Sequence, residues 1–240
     1  MIATGYQLMV RLKAEKRPQL ENLWPNVLPP GGPMPGSLTE ISGVKDEELL
    51  LKIIARTVLP EQYGGKSSQV ILVDLNHKID EIEKYLLDVM SLSENFSQED
   101  PTLIDDILWK CLNSIIYISC YSSEQFDLAL EELEDILWDE ENVSLLAIDG
   151  LDAFYWDDCY DRLQRMITHY RKMCQRLQRI CQEHKVCCIY TVETNYLQHK
   201  SNSKAKVSNV YNSFVDFKIK LALKDGCLHL NDKPFSFDMK

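Results

Sequence analysis

The chain has 240 residues, 45% of them hydrophobic, and carries 37 Asp or Glu against 26 Lys or Arg, a net charge of −11. That is enough apolar material for one sizeable core with a short appendage, while the acidic total excludes a surface built throughout for nucleic acid. No apolar run reaches the length of a membrane span and the first residues lack a basic-then-apolar leader pattern, so an intracellular protein without membrane contact is expected.

Taken in order, residues 6–12 are a short helical candidate. Residues 24–36 then hold five prolines and three glycines, which cannot continue a helix or a central strand. Residues 1–36 therefore read as an N-terminal arm or linker, and 37–240 as the core domain. SLTEISG at 37–43 alternates like a strand that ends in a glycine turn, and 47–59 is an apolar helix closed by Pro60 and the turn Gly64-Gly65. VILVD at 70–74 is a second strand, 79–89 a helix, 91–101 a polar loop and 103–112 a helix. IIYIS at 115–119 is a third strand, and 123–138 is a strongly acidic amphipathic helix.

LLAID at 145–149 has four apolar residues in a row, too short for a helix and suited to a strand buried on both faces. Ligands bind at the carboxyl ends of strands in open α/β sheets, so Asp149 stands where a Walker-B carboxylate would hold Mg²⁺ for a nucleotide. Phe154, Tyr155 and Trp156 follow, three aromatics that need a large partner surface within the chain or on another protein. Residues 162–185 carry one apolar stripe with Arg165, Arg171, Lys172, Arg176 and Arg179 off it, and 186–190 is a fifth strand. Lys200, Lys204 and Lys206 lie in a polar segment, 195–212, that reads as a flexible basic loop. Residues 214–223, 227–230 and 234–237 look like closing antiparallel strands. Strands alternating with helices give an α/β fold: a mainly parallel sheet flanked by helices, with a C-terminal antiparallel extension.

Charge is unevenly spread. Residues 124–161 hold fourteen acidic and no basic residues, whereas 162–206 hold ten basic against two acidic. The two stretches either steer partners or attract each other inside the fold. The eight cysteines contain no C-x-x-C pair and no His at zinc-ligand spacing, so no metal site is signalled. The five histidines have no nucleophile at a recognisable spacing, which leaves a small-molecule enzyme without support.

A strand ending in glycine before a helix is where a phosphate loop belongs. Its chemistry calls for G-x-x-x-x-G-K-[ST], with backbone N–H groups and a Lys on the phosphates and a hydroxyl on Mg²⁺. The chain instead reads GVKDEEL at 43–49, with Gly43 alone, Lys45 unaccompanied, and Asp46, Glu47 and Glu48 where an anion would sit. Those carboxylates suit a helix start and would repel a triphosphate.

GGPMPGSLTEISG at 31–43 resembles the segment that leads into the Walker A loop of eukaryotic RecA-like strand-exchange recombinases and their paralogues. TGYQL at 4–8, ARTVLP at 55–60 with Gly64-Gly65, and LLAIDGLDAFYW at 145–156 are similar to the same family, so the likeness runs from residue 4 to about 195 in four blocks. It implies a RecA-like core acting in homologous recombination in the nucleus, as a subunit bound to a sister paralogue, the D member of the group. That complex assists the strand-exchange recombinase on single-stranded or branched DNA. Within the resemblance, Asp149 matches the Walker-B Asp; Asn76 stands where active members place the Glu that activates water, and Glu193 where they place the Gln that senses the γ-phosphate. An amide cannot act as a general base. The expected site is thus a degenerate nucleotide site of Gly43, Lys45, Asp46, Asn76, Asp149 and Glu193, with no catalysis and no cofactor. Lys200, Lys204 and Lys206 are the DNA-contact candidates by the same resemblance, and Phe154, Tyr155 and Trp156 are the partner-contact candidates. The competing reading is an active RecA-like DNA-dependent ATPase, which needs the loop that residues 43–48 lack.

Overall fold

The computed structural model describes residues 5–77, 82–93, 96, 100–156, 158, 166–193 and 214–237. Eight strands form one sheet in the order β3-β2-β4-β5-β1-β6-β7-β8. They are β1 Leu38–Gly43, β2 Gln69–Asp74, β3 Ile115–Ser119, β4 Val143–Asp149, β5 Cys187–Val192, β6 Phe217–Lys224, β7 Cys227–Leu230 and β8 Lys233–Pro234. The helices are α1 Gly5–Ala14, α2 Asp46–Val58, α3 Ile82–Ser91, α4 Pro101–Asn113, α5 Ser123–Asp139 and α6 Met166–His184. None of the described helices is long and apolar enough to cross a membrane.

β4 explains why the central strands read as unbroken apolar runs. Leu145 and Ala147 enter the core beneath α2, α3 and α4, while Leu146 and Ile148 enter the core beneath α5 and α6. Every side chain of such a strand is buried, so alternation with polar residues is lost. The six strands from β3 to β6 are parallel, and the antiparallel set begins where β7 pairs with β6. β6 had read as antiparallel, yet it lies parallel to β1. A mainly parallel sheet with helices on both faces and an antiparallel edge is a RecA-like architecture.

Several ends differ from the pattern expected of the sequence. α4 starts at Pro101, two residues early, because the Asp100 side chain caps it by accepting the Thr102 N–H and proline is well placed at a first helical position. The chain leaves the sheet after Phe235, whose N–H still donates to the Leu228 carbonyl of β7 at 2.8 Å. Phe235 and Phe237 bury against each other, with ring centroids 5.2 Å apart, and Phe235 lies 6.2 Å from Trp24.

The arm is packed into the molecule. Leu20, Leu23, Trp24, Val27 and Leu28 join the core above α2, and the Arg56 guanidinium covers the Trp24 ring at 4.5 Å. Arg17 is buried and donates to the carbonyls of Leu137, Glu140 and Val143, closing the end of α5 and the start of β4. Inside the sheet, Tyr190, Glu40 and Lys218 stand in one row across β5, β1 and β6. Tyr170 of α6 donates its hydroxyl to Glu40, shares a 2.6 Å hydrogen bond with the Tyr190 hydroxyl, and leaves Lys218 to pair with Glu40 at 3.2 Å. A buried carboxylate is thus supplied with a donor and a cation, as its desolvation demands.

Candidate functional site

The carboxyl ends of β1, β2, β4 and β5 meet at a cleft of about 360 Å³. β1 supplies Gly43, the start of α2 supplies Asp46 and Glu47, and Asn76 follows β2. Asp149, Gly150 and Asp152 come from the end of β4, and Thr191, Val192 and Glu193 from β5. Five of the six residues expected of a nucleotide site are therefore gathered here; Lys45 is not among them.

Only Val44 and Lys45 separate β1 from α2. Eight residues of phosphate loop cannot be drawn from a connection of that length. Lys45 adopts a left-handed conformation (φ 60°), and its ammonium turns aside to Glu48, 3.0 Å away, and to the face of Phe237, 5.5 Å from the ring centre. At the helix start the Asp46 carboxylate accepts the N–H of Glu47 at 3.0 Å. A backbone donor that would face an anion is thus occupied by the chain's own acid. Gly43 (φ 118°) serves packing: a Cβ there would stand 1.9 Å from the carbonyl oxygen of Leu221 on β6.

Asn76 lies over the turn that follows β4. Its amide leaves no room for a side chain at Gly150, where a Cβ would come within 2.3 Å of it. Asp74, one turn back, accepts the N–H of His77 at 2.8 Å and the Tyr117 hydroxyl at 2.8 Å. Asp149 is almost fully buried and accepts the Thr191 hydroxyl at 2.7 Å, while Thr191 in turn accepts the Gly150 N–H at 2.7 Å. Asp152 accepts the Glu193 N–H at 3.1 Å, a second tie between the ends of β4 and β5. Burial pushes the Asp152 carboxyl up to about 6, and the charges of Glu193 and Asp46 add to that, against the lowering effect of its backbone hydrogen bonds. Five carboxylates line the cleft, and among the described residues no Lys or Arg does. This electrostatic character is hostile to phosphate.

No family model matches the chain. It is 29% identical over 189 residues to DNA repair protein XRCC2 of Mus musculus, a match that covers 70% of this chain and 64% of that protein. It is 22% identical over 231 residues to the DNA repair protein XRCC2 homolog of Arabidopsis thaliana, covering 76% of this chain and 62% of that protein. The chain is similar to XRCC2. It spans a little under two thirds of the length of these curated relatives.

The aromatic cluster of the chain is not presented as a unit. Tyr155 is buried, edge-on to His169 at 5.4 Å and to Trp156 at 4.9 Å, and Phe154 is half-buried. Trp156 alone is presented, 63% exposed. Lys200, Lys204 and Lys206 lie outside the described residues. The charged stretches partly answer each other within the fold, since Arg176 of α6 meets Asp127 of α5 at 2.6 Å and Arg179 meets Glu134 at 2.9 Å.

Sequence reasoning missed Asp152 and Thr191. Their signal is a second acid three residues after Asp149 and a hydroxyl two before Glu193, which places both beside known cleft positions once β4 and β5 are neighbours. It also missed the exposed Tyr117 and Tyr121 at and beyond β3, the second stacked on His77 at 4.0 Å, because an edge strand cannot be told from a central one by its own residues.

Proposed function

We propose that this chain is a non-catalytic subunit of DNA double-strand break repair by homologous recombination. It keeps a RecA-like core as a scaffold, docks a sister recombinase paralogue, the D member of the group, and assists assembly of the strand-exchange recombinase on single-stranded DNA in the nucleus. The observation that carries this reading is the connection of Val44 and Lys45 between β1 and α2, which opens on a cleft of five carboxylates. Asn76 cannot take a proton from an attacking water, and Glu193 adds charge where a γ-phosphate would lie. The likeness to proteins named for DNA repair supports the cellular role. Docking is supported by Trp156, whose exposed indole stands edge-to-face with the buried Tyr155 and is an aromatic surface of the kind interfaces favour.

Co-expression with the sister paralogue, followed by affinity capture and circular dichroism, tests it. The parent chain should retain the paralogue, and a folded Trp156→Ala variant should lose at least tenfold in apparent affinity, the upper range for a central aromatic anchor being about 2–4 kcal/mol. Failure of the folded parent to capture the paralogue would remove the docking half of the reading.

A further inference from the structure

The pattern Ser/Thr-x-x-Asp/Glu occurs in this chain at Ser37, Ser91, Ser97, Thr102 and Ser213. Its ordinary meaning is a helix-capping box, in which the hydroxyl caps a helix start and the acid three residues on answers it. Ser37 does not fit an acceptor recognised through that acid, because the acid of its pattern, Glu40, is buried in the sheet and paired with Lys218. Ser91 ends α3 with its hydroxyl on the Asp88 carbonyl at 2.7 Å, and its acid, Glu94, lies outside the described residues, as do Ser97 and Ser213. Thr102 is different. The cap of α4 is Asp100, which accepts both the Thr102 N–H at 3.0 Å and the Thr102 hydroxyl at 2.9 Å. The capping task is therefore complete without Asp105, and the pattern has no structural use at this position.

We infer that Thr102 is a phosphoacceptor for a protein kinase with a basic substrate groove, one that selects carboxylates three and four residues beyond its acceptor. Thr102, Asp105 and Asp106 are all exposed. The acceptor needs local extension of the chain, and α4 permits it. Residues 101–103 are exposed, whereas the helix is anchored through Ile107, Leu108 and Cys111, so its first turn opens without uncovering the core. In the transfer, Thr102 Oγ1 bonds to the γ-phosphorus of ATP, the bond from that phosphorus to the bridging oxygen breaks, ADP leaves, and the hydroxyl proton passes to the kinase base. The product is compatible with the fold. A phosphate in the first turn of α4 is favoured by the helix dipole and by the first-turn N–H groups, while its charge drives Asp100 out of the cap.

The test is to incubate the purified full chain with ATP and a kinase of the casein kinase 2 class and to locate phosphate by peptide mass spectrometry. Incorporation at Thr102 is expected. Thr102→Ala should lower incorporation at least tenfold, Thr102→Ser should restore it, and the Asp105→Asn, Asp106→Asn double variant should lower it at least fivefold with helix content unchanged by circular dichroism. Absence of phosphate from Thr102 in the parent, or a loss smaller than tenfold in Thr102→Ala, overturns the inference.

Discussion

Asp152 shows most clearly what the cleft demands of a single residue. Its carboxyl titrates near 6 in the folded chain, against an ordinary value of 3.8, because it is buried and faces Glu193 and Asp46. A group whose folded value is raised lends stability that is fully present below its unfolded value and is lost as pH rises through the folded one. The Asp152 contribution is therefore present below about pH 4 and gone by about pH 7. Asp152→Asn, which keeps an acceptor for the Glu193 N–H, should raise stability at pH 7 by on the order of 1–3 kcal/mol and should make no difference below pH 4. Urea unfolding of both proteins across that range measures it. His184 is buried with its ring held below the usual imidazole range, first by burial and then by Arg17, and it weakens both proteins alike as pH falls. The difference between parent and variant is thus free of it. Two further residues have definite costs. Gly43→Ala puts a Cβ against the Leu221 carbonyl in a left-handed backbone and should destabilise by more than about 2 kcal/mol. Tyr170→Phe leaves buried Glu40 one donor short and should destabilise by about 1–3 kcal/mol. Chemical denaturation reads both.

Among elements, the arm and α6 carry the least obvious lessons. Arg17 closes three carbonyls at the foot of α5 and β4, so Arg17→Ala should cost about 2–4 kcal/mol and should speed amide exchange first in residues 5–28 and 137–143. By contrast, the α5–α6 ion pairs are largely exposed, and Arg179→Ala should change stability by under about 1 kcal/mol. Of the five parallel strands legible in the sequence, β2 and β4 showed as the apolar runs 70–74 and 145–149 because both their faces are buried, whereas β1 was legible from its alternation. The cleft was legible for a related reason: acids and glycine at strand ends mark one edge of such a sheet. What local pattern cannot carry is the choice of neighbour. Whether β6 runs with or against β1 depends on where the connection from β5 returns, and residues 217–224 read the same either way. The direction of Lys45 and the burial of Tyr155 were hidden for the same reason, since Phe237 and His169, far off in sequence, decide them.

At the scale of the whole molecule, the RecA-like frame gathers its strand ends at one cleft, while the β1–α2 connection and the residues at 76 and 193 depart from the pattern of a nucleotide site. The sheet order, the buried Asp149 and the gathering of Asn76 and Glu193 at one cleft keep the frame. The short β1–α2 connection and the five carboxylates of the cleft are the features on which the proposed loss of nucleotide binding rests. Under the proposed docking role the surfaces to test are the exposed Trp156 and the acidic outer face of α5. The central claim is that the cleft no longer takes nucleotide. Calorimetric titration of the purified chain with Mg·ATP, with phosphate release followed in the same samples, tests it directly. The account predicts no saturable heat and no phosphate release above the buffer blank, with or without single-stranded DNA. Saturable binding in the micromolar range that is abolished by Asp149→Asn would contradict it.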